Sequence, residues 1–113
     1  MQSPEDHLPL NPRTFAILMA LLEGPAHGYR LRQAVEAQGQ VAIDPGSLYR
    51  IIARLVDAEW VEEVPPPDGE LQTDARRRYY GATELGRRIA AAEAARLRSL
   101  LDHAARTRLL PEH

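Results

Sequence analysis

The segment from residue 44 to residue 55 constrains the fold most, because it combines a helix start with a two-sided pattern. Asp44 can accept hydrogen bonds from first-turn amides, and Pro45 suits the first helical position. Apolar residues then recur at the spacing of one helix face, namely Leu48, Ile51, Ile52 and Leu55. The pattern predicts a helix that covers a core with this face and leaves the opposite face free.

The free face of this helix carries basic and aromatic side chains. Arg50 lies roughly opposite the apolar stripe. Tyr49, Ser47 and Arg54 lie on the flanks, where side chains can reach the phosphates or base edges of a duplex. Taken alone, the segment fits a DNA recognition helix and an ordinary amphipathic surface helix equally well.

Composition narrows the class of protein. A chain of 113 residues forms one domain with a modest core, and 44% hydrophobic and 27% charged residues are ordinary for a globular protein. The absence of cysteine excludes disulfides and the commonest zinc sites. No apolar run of about 18 residues occurs, and the first residues lack the basic and apolar regions of a signal peptide. We therefore expect a cytoplasmic protein without membrane attachment.

The charge balance is mixed evidence for a nucleic-acid partner. The net charge of −2 argues mildly against DNA, since DNA affinity comes largely from neutralised phosphates. All fixed positive charge is arginine, with no lysine, and the planar arginine fork suits phosphate and guanine. Genomic base composition is an alternative explanation of the arginine bias.

Two further helices are predicted upstream, at about residues 11–23 and 27–38. Asn11 is an expected N-cap, and an apolar stripe follows it: Phe15, Leu18, Met19 and Leu22. Gly24 with Pro25 ends the first helix, and Gly39 ends the second. A short link then leads into the helix described above. Two helices joined by a short turn, the second with exposed arginine and tyrosine, are typical of a helix-turn-helix.

A β-hairpin is predicted after these helices. Residues 60–64 and 76–80 have strand-favouring composition, and a polar, proline-rich stretch separates them. Three arginines enter the returning strand where a wing would meet the duplex backbone: Arg76, Arg77 and Arg78. A solvated edge strand blunted by charge is the alternative. The acidic residues Asp68, Glu70 and Asp74 in the tip weaken the electrostatic argument for DNA.

The last helix is predicted from Thr83, its cap, to about Arg108. It is longer than so small a head can cover, and its apolar stripe is irregular. The expected dimerisation residues are Leu85, Ile89, Leu97, Leu100, Leu101 and Ala104, with Phe15 from the first helix. A partner chain would cover this stripe. The alternative is that the helix folds back on its own domain.

These predictions combine into one architecture. The fold class is mainly α with a small β-hairpin, a winged helix-turn-helix head followed by a long C-terminal dimerisation helix. We expect a flexible arm at residues 1–10, a DNA-binding domain at 11–82, the dimerisation helix at 83–108 and a tail at 109–113.

The chain resembles the PadR-like family of transcriptional regulators, in the short form that has a single C-terminal dimerisation helix. The motifs that match fall within residues 14–90 and are Leu21-Leu22, Gly24-Pro25, His27-Gly28-Tyr29, Leu31, Pro45-Gly46-Ser47-Leu48-Tyr49, Arg54-Leu55, Arg78-Tyr79-Tyr80, Thr83-Glu84 and Gly86-Arg87. The combination is specific, although each tripeptide alone is weak. The resemblance implies a homodimer on double-stranded operator DNA, usually a repressor, released by a ligand or another signal.

The resemblance also bears on individual residues. It places Ser47, Tyr49 and Arg50 at the recognition-helix positions, and backbone amides near Gly46 at a phosphate. His27 and Tyr29 match as well, but their position at a helix start leads us to expect packing rather than base contact.

The chain departs from the family pattern after the recognition helix. Glu59 stands where glycine is common, and Trp60 stands where an aliphatic residue is usual. Glu59 is expected to strain the turn if the backbone there needs a positive φ angle.

Other functions are less consistent with the sequence. The sequence lacks the residue patterns of an enzyme, because it has no glycine-rich phosphate loop and no nucleophile with a nearby base. A metal sensor lacks cysteine and has scattered histidines, so we expect no cofactor and no metal. A winged-helix module that binds protein instead of an operator is the main alternative. The last helix holds no aromatic residue that would stack on a flat ligand, so the sequence favours no particular effector.

Overall fold

Four α-helices and three short strands form the part of the chain that the structure describes, residues 3–39, 42–67 and 77–111 of a computed structural model. In chain order they are α1 (Pro12–Glu23), β1 (Ala26–His27), α2 (Gly28–Gly39), α3 (Pro45–Asp57), β2 (Val61–Val64), β3 (Tyr79–Ala82) and α4 (Glu84–Arg106). The predicted fold class, mainly α with a winged helix-turn-helix head, is confirmed. None of the helices in these ranges is long and apolar enough to cross a lipid bilayer.

Three of the helices begin at the predicted caps. The Asn11 side chain accepts a hydrogen bond from the Arg13 amide at 2.9 Å. Asp44 accepts from the Ser47 amide at 3.0 Å, and Thr83 accepts from the Gly86 amide at 3.0 Å. Each cap satisfies a backbone donor that has no partner within its own helix.

The sheet is antiparallel, with β3 between β1 and β2. β3 begins at Tyr79, so the prediction that Arg76, Arg77 and Arg78 lie within the returning strand is wrong for the two arginines that the structure describes. Arg76 and the wing tip at residues 68–75 lie outside the described residues. β1, which pairs with Tyr79 and Tyr80, is an additional strand, and its second residue, His27, falls within the range predicted for the second helix. The two tyrosines are buried because β3 is the central strand.

The core lies between the three head helices, the sheet and the first half of α4. Its most deeply buried large side chains are Ile17, Leu18, Leu31, Leu48, Val61 and Ile89. The prediction that Ile89 takes part in dimerisation is wrong, because this side chain is fully buried within its own protomer. α4 therefore completes the head with its first half, and only its second half extends away from the core.

Residues 3–10, which were predicted to lie in a flexible arm, pack against the domain. Pro4–His7 forms a turn of 3-10 helix that packs against α4. The Leu10 side chain is buried, and its amide donates to Glu93 Oε2 at 3.3 Å. The His7 ring meets the Trp60 ring edge-on at 5.0 Å between centroids. These contacts hold the N-terminal segment against both α4 and the end of α3.

α3 ends in a turn that uses a left-handed residue. Glu59 has a φ of 66°, as the glycine pattern of the family suggested. The Glu59 amide donates to the Val56 carbonyl at 3.0 Å, and the Trp60 amide donates to the Leu55 carbonyl at 2.9 Å. This pair of bonds is the Schellman arrangement, in which glycine is usual at the left-handed position. Glu59 fits the turn only at a conformational cost.

Replacing Glu59 with glycine should raise the free energy of unfolding by about 0.5–1 kcal/mol, because glycine removes the left-handed penalty of a residue with a Cβ atom. Chemical denaturation monitored by circular dichroism measures the change. The control is Ala58→Gly at the preceding residue, where φ is −80° and glycine should instead destabilise by about 0.5–1 kcal/mol. A loss of stability in Glu59→Gly would contradict the strain argument.

Candidate nucleic-acid interface

The outer face of α3 is largely exposed, as the sequence pattern predicted. Leu48, Ile52 and Leu55 are buried, whereas Arg50 and Arg54 are exposed and Tyr49 is 50% exposed. Gly46 is also exposed at the helix start. The predicted recognition residues therefore lie together on one surface of one helix.

The first turn of α3 is fixed by a chain of hydrogen bonds. Arg50 donates to the Ser47 hydroxyl at 3.2 Å, and this hydroxyl donates to Asp44 Oδ1 at 2.6 Å. Hydrogen bonds from the Ser47 side chain and amide lower the pKa of Asp44, so its carboxylate stays charged. Because its hydroxyl proton and amide are both engaged by Asp44, Ser47 is arranged to position Arg50 rather than to donate to a phosphate.

Tyr49 connects α3 to the start of α2 and to the base of the wing. Its hydroxyl end lies directly over Gly28, where any Cβ atom would overlap it. A pocket of about 420 Å³ opens beside it, lined by Tyr49, Tyr29, Arg77, Arg78, His27, Gly28 and Tyr80. The pocket brings α3 and the base of the wing to one place.

The side chain of Tyr29 is exposed, although the sequence predicted that it packs against the domain. Its side chain is 61% exposed, and it lines the same pocket as Tyr49. Its ring stacks on His27, with centroids 6.4 Å apart. The helical pattern of α2 could have revealed this exposure, because Leu31 and Val35 define the buried face and Tyr29 is not in register with it. Tyr29 thus joins the candidate site.

The wing base places arginine beside the aromatic residues. Arg77 and Arg78 are exposed just before β3, and Arg77 Nη1 lies 3.4 Å from His27 Nε2. His27 Nδ1 accepts a hydrogen bond from the Arg30 amide at 3.3 Å, which supports the predicted structural role of His27 at the start of α2. Burial, with a contribution from the Glu63 carboxylate, raises the pKa of Tyr80, so its phenol stays protonated.

The predicted dimerisation residues other than Ile89 remain at least partly accessible. Leu100 and Leu101 are 53% and 55% exposed, and Leu85 is 37% exposed. Leu97, Ala104 and Phe15 are half-buried. A groove of about 340 Å³ runs between α1 and α4, and its apolar lining includes Phe15, Met19 and Leu97.

An ion pair between a buried glutamate and a half-buried arginine lines this groove. Glu93 is almost completely buried and accepts two hydrogen bonds from the Arg96 guanidinium, at 2.6 and 2.9 Å. These bonds lower the pKa of Glu93 against the opposing effect of burial, so the carboxylate is ionised in the folded protein. In the described ranges, no group of three or more histidines and carboxylates is arranged to hold a metal ion.

Solved structures share this architecture. A PadR family regulator from Clostridium difficile superimposes with a TM-score of 0.70 at 15% identity, covering 86% of this chain and 98% of that one. A PadR-like regulator from Bacillus cereus gives a TM-score of 0.68 at 18% identity, covering 88% and 92% of the two chains. At these identities the likeness shows the fold.

Sequence comparison supplies the family. An uncharacterised 37.1 kDa protein in transposon TN4556 of Streptomyces fradiae is 33% identical over 84 residues, which cover 74% of this chain but only 22% of that protein. This chain thus spans about a fifth of the length of that relative. Residues 17–92 match the transcriptional regulator PadR-like family. The chain therefore belongs to the PadR-like family of transcriptional regulators, whose members are not enzymes.

Proposed function

We propose that this regulator binds operator DNA through α3 and the wing base. The observation that carries the proposal is that Tyr49 of α3 lines the same pocket as Arg77 and Arg78 of the wing base. A recognition helix in the major groove and a wing at the backbone must be presented on one side of the protein. Arg50 and Arg54 are the candidates for contact with base edges or phosphates, because both are exposed on α3.

We further propose that the regulator acts as a homodimer on an inverted repeat. The second half of α4 carries Leu100 and Leu101 outside the core, and the apolar groove beside Phe15 adjoins it. A two-fold dimer would cover these surfaces and place two α3 helices on half-sites about one DNA turn apart. The simplest regulatory outcome is repression, because a dimer bound at a promoter excludes RNA polymerase. A small-molecule effector would relieve repression by weakening DNA binding.

Arg50→Ala should weaken operator binding by about 1–3 kcal/mol without unfolding the protein, because the side chain lies outside the core. The operator is obtained by selection from a random duplex pool, and affinity is measured by fluorescence anisotropy. Arg98→Ala is the matched control, since it removes the same charge from an exposed position on α4. Wild-type affinity in Arg50→Ala would reject α3 as the recognition helix.

A protein-binding module is the second candidate, and one observation favours it. Glu62 and Glu63 are exposed on the edge strand β2, where their carboxylates would repel a phosphate backbone. Salt dependence separates the two functions, because phosphate contacts give a steep loss of affinity with rising salt. Absence of any enriched duplex from a folded dimer would favour the protein partner.

A further inference from the structure

A cleft of about 600 Å³ lies on a flank of α3, and none of its lining residues belongs to β2 or β3. Its other wall is the N-terminal segment and the first turn of α1, and Trp60 also lines it. Three arginines line it: Arg13 from α1, and Arg50 and Arg54 from α3. His7 is the remaining titratable residue in the lining, which contains no aspartate and no glutamate.

In the described ranges the three arginines make no direct ion pair with a carboxylate, and the nearby Asp44 reaches Arg50 only through the Ser47 hydroxyl. Within residues 3–39, 42–67 and 77–111, none of them forms an ion pair, whereas Arg32, Arg88 and Arg96 each pair with a glutamate on their own helix. The protein as a whole has a net charge of −2, so a cleft lined by arginine without a carboxylate is a local reversal of sign. Such a concave positive surface attracts an anion.

The N-terminal wall of the cleft is held in place by hydrogen bonds and by a ring contact of its own residues. The Leu10 amide donates to the buried Glu93 carboxylate, which anchors the N-terminal wall to α4. Asn11 accepts a hydrogen bond from the Arg13 amide at 2.9 Å, which fixes the backbone that carries the Arg13 side chain. The edge-on contact of His7 with Trp60 joins the N-terminal wall to the residue that precedes β2. Arg13 is therefore presented to the cleft by an ordered wall.

The shape of the cleft favours a chain of charges over a single small anion. Its α3 side extends from Ser47 to Ala58, about 16 Å along a helix at 1.5 Å per residue. Arg50 and Arg54 are one turn apart on this side, about 6 Å along the axis. A DNA strand carries one phosphate for every 3.4 Å of duplex axis, so it can meet both of these arginines and Arg13.

We propose that this cleft binds the sugar-phosphate backbone beside the half-site, with Arg13 as a phosphate contact outside both the recognition helix and the wing. The inference rests on the proposed function, because it concerns the same DNA. Arg13 fixes the register of α3 on the duplex without reading its sequence. The interface then grips the backbone on both sides of α3, through the wing base on one side and through α1 on the other.

The test compares Arg13→Ala with Arg98→Ala on the selected operator and on a random-sequence duplex over a range of salt concentrations. Arg13→Ala should weaken binding to both duplexes about tenfold and reduce the magnitude of the salt slope by about 1. Arg98→Ala should leave both unchanged. If Arg13→Ala keeps the wild-type affinity and salt slope while Arg50→Ala binds more weakly, the inference about the cleft is overturned and the proposed function stands. No DNA binding by the native protein would overturn the proposed function as well.

Trp60 provides a second readout, because it is the single tryptophan of the chain and lines the cleft. Adding random-sequence duplex should change its fluorescence at saturation, and Arg13→Ala should shift the midpoint to about tenfold higher duplex concentration. Benzoate is the probe for a small organic anion. A saturable response to micromolar benzoate, with no response to duplex, would overturn the proposal in favour of a small-molecule site.

Discussion

Replacing Gly86 with alanine should lower the free energy of unfolding by about 2–3 kcal/mol and the melting temperature by about 10 °C. A Cβ atom at this position would overlap the Trp60 carbonyl oxygen, which is backbone and cannot rotate away. The same carbonyl accepts a hydrogen bond from the Thr83 amide at 3.0 Å. The Thr83 hydroxyl donates to the Glu59 carbonyl at 2.6 Å, so the turn after α3 and the start of α4 form one tightly joined unit.

The sign of this effect makes the prediction specific. Glycine to alanine inside a helix ordinarily stabilises by about 0.8–1.0 kcal/mol, because alanine has the higher helix propensity. Ser99→Ala, at an exposed position on the same helix, is the control and should be neutral or slightly stabilising. Thermal unfolding of both variants by circular dichroism decides the question. An unchanged or higher melting temperature in Gly86→Ala would show that the junction can open to accept a methyl group.

The helices could be predicted from the sequence because their determinants are local. Asn11, Asp44 and Thr83 each make the side-chain bond to the first turn that their positions indicated. The apolar face of α3 was also predictable, since three of its four residues are buried and Ile51 is half-buried. A cap and a periodic stripe act over a few residues, so neither depends on the rest of the fold.

The sheet depended on contacts that a local pattern does not encode. β1 is two residues long and exists because Ala26 pairs with Tyr80, far along the chain. β3 begins at Tyr79 and not at the arginines, because the buried central position selects the tyrosines. Local composition favoured strand for both groups, and only the pairing register separates them.

The candidate site was predicted in its residue types more fully than in its geometry. Arg50 and Arg54 lie on the outer face of α3 as the helical spacing required. Three features of the site depend on side-chain rotamers and on the packing of separate elements. They are the hydrogen bond of Ser47 to Asp44, the exposure of Tyr29 and the approach of Arg13 to α3. Helix periodicity assigns a residue to a face, but it does not say which other segment stands opposite that face.

Replacing Leu100 and Leu101 together with glutamate should convert the proposed homodimer into a monomer and weaken binding to an inverted-repeat operator at least about 100-fold. A two-fold interface would contain both leucines from each protomer, and burial of each leucine is worth about 1.5–3 kcal/mol. Glutamate removes that gain and adds the cost of burying charge. Light scattering measures the mass, and anisotropy on half-site and full-site duplexes measures the affinity.

The two leucines suit this test because they are more than half exposed in the protomer, so the head should keep its fold when they change. Ser99→Glu is the matched control, since it adds a carboxylate to the neighbouring exposed position, which the helical period turns away from the leucine stripe. The monomeric double variant should bind a single half-site as the native protein does, because α3 and Arg13 lie in the head. A native dimeric mass in the double variant would place the dimer interface elsewhere. Loss of half-site binding together with a normal melting curve would mean that dimerisation orders the DNA-binding surface and does more than pair two independent heads.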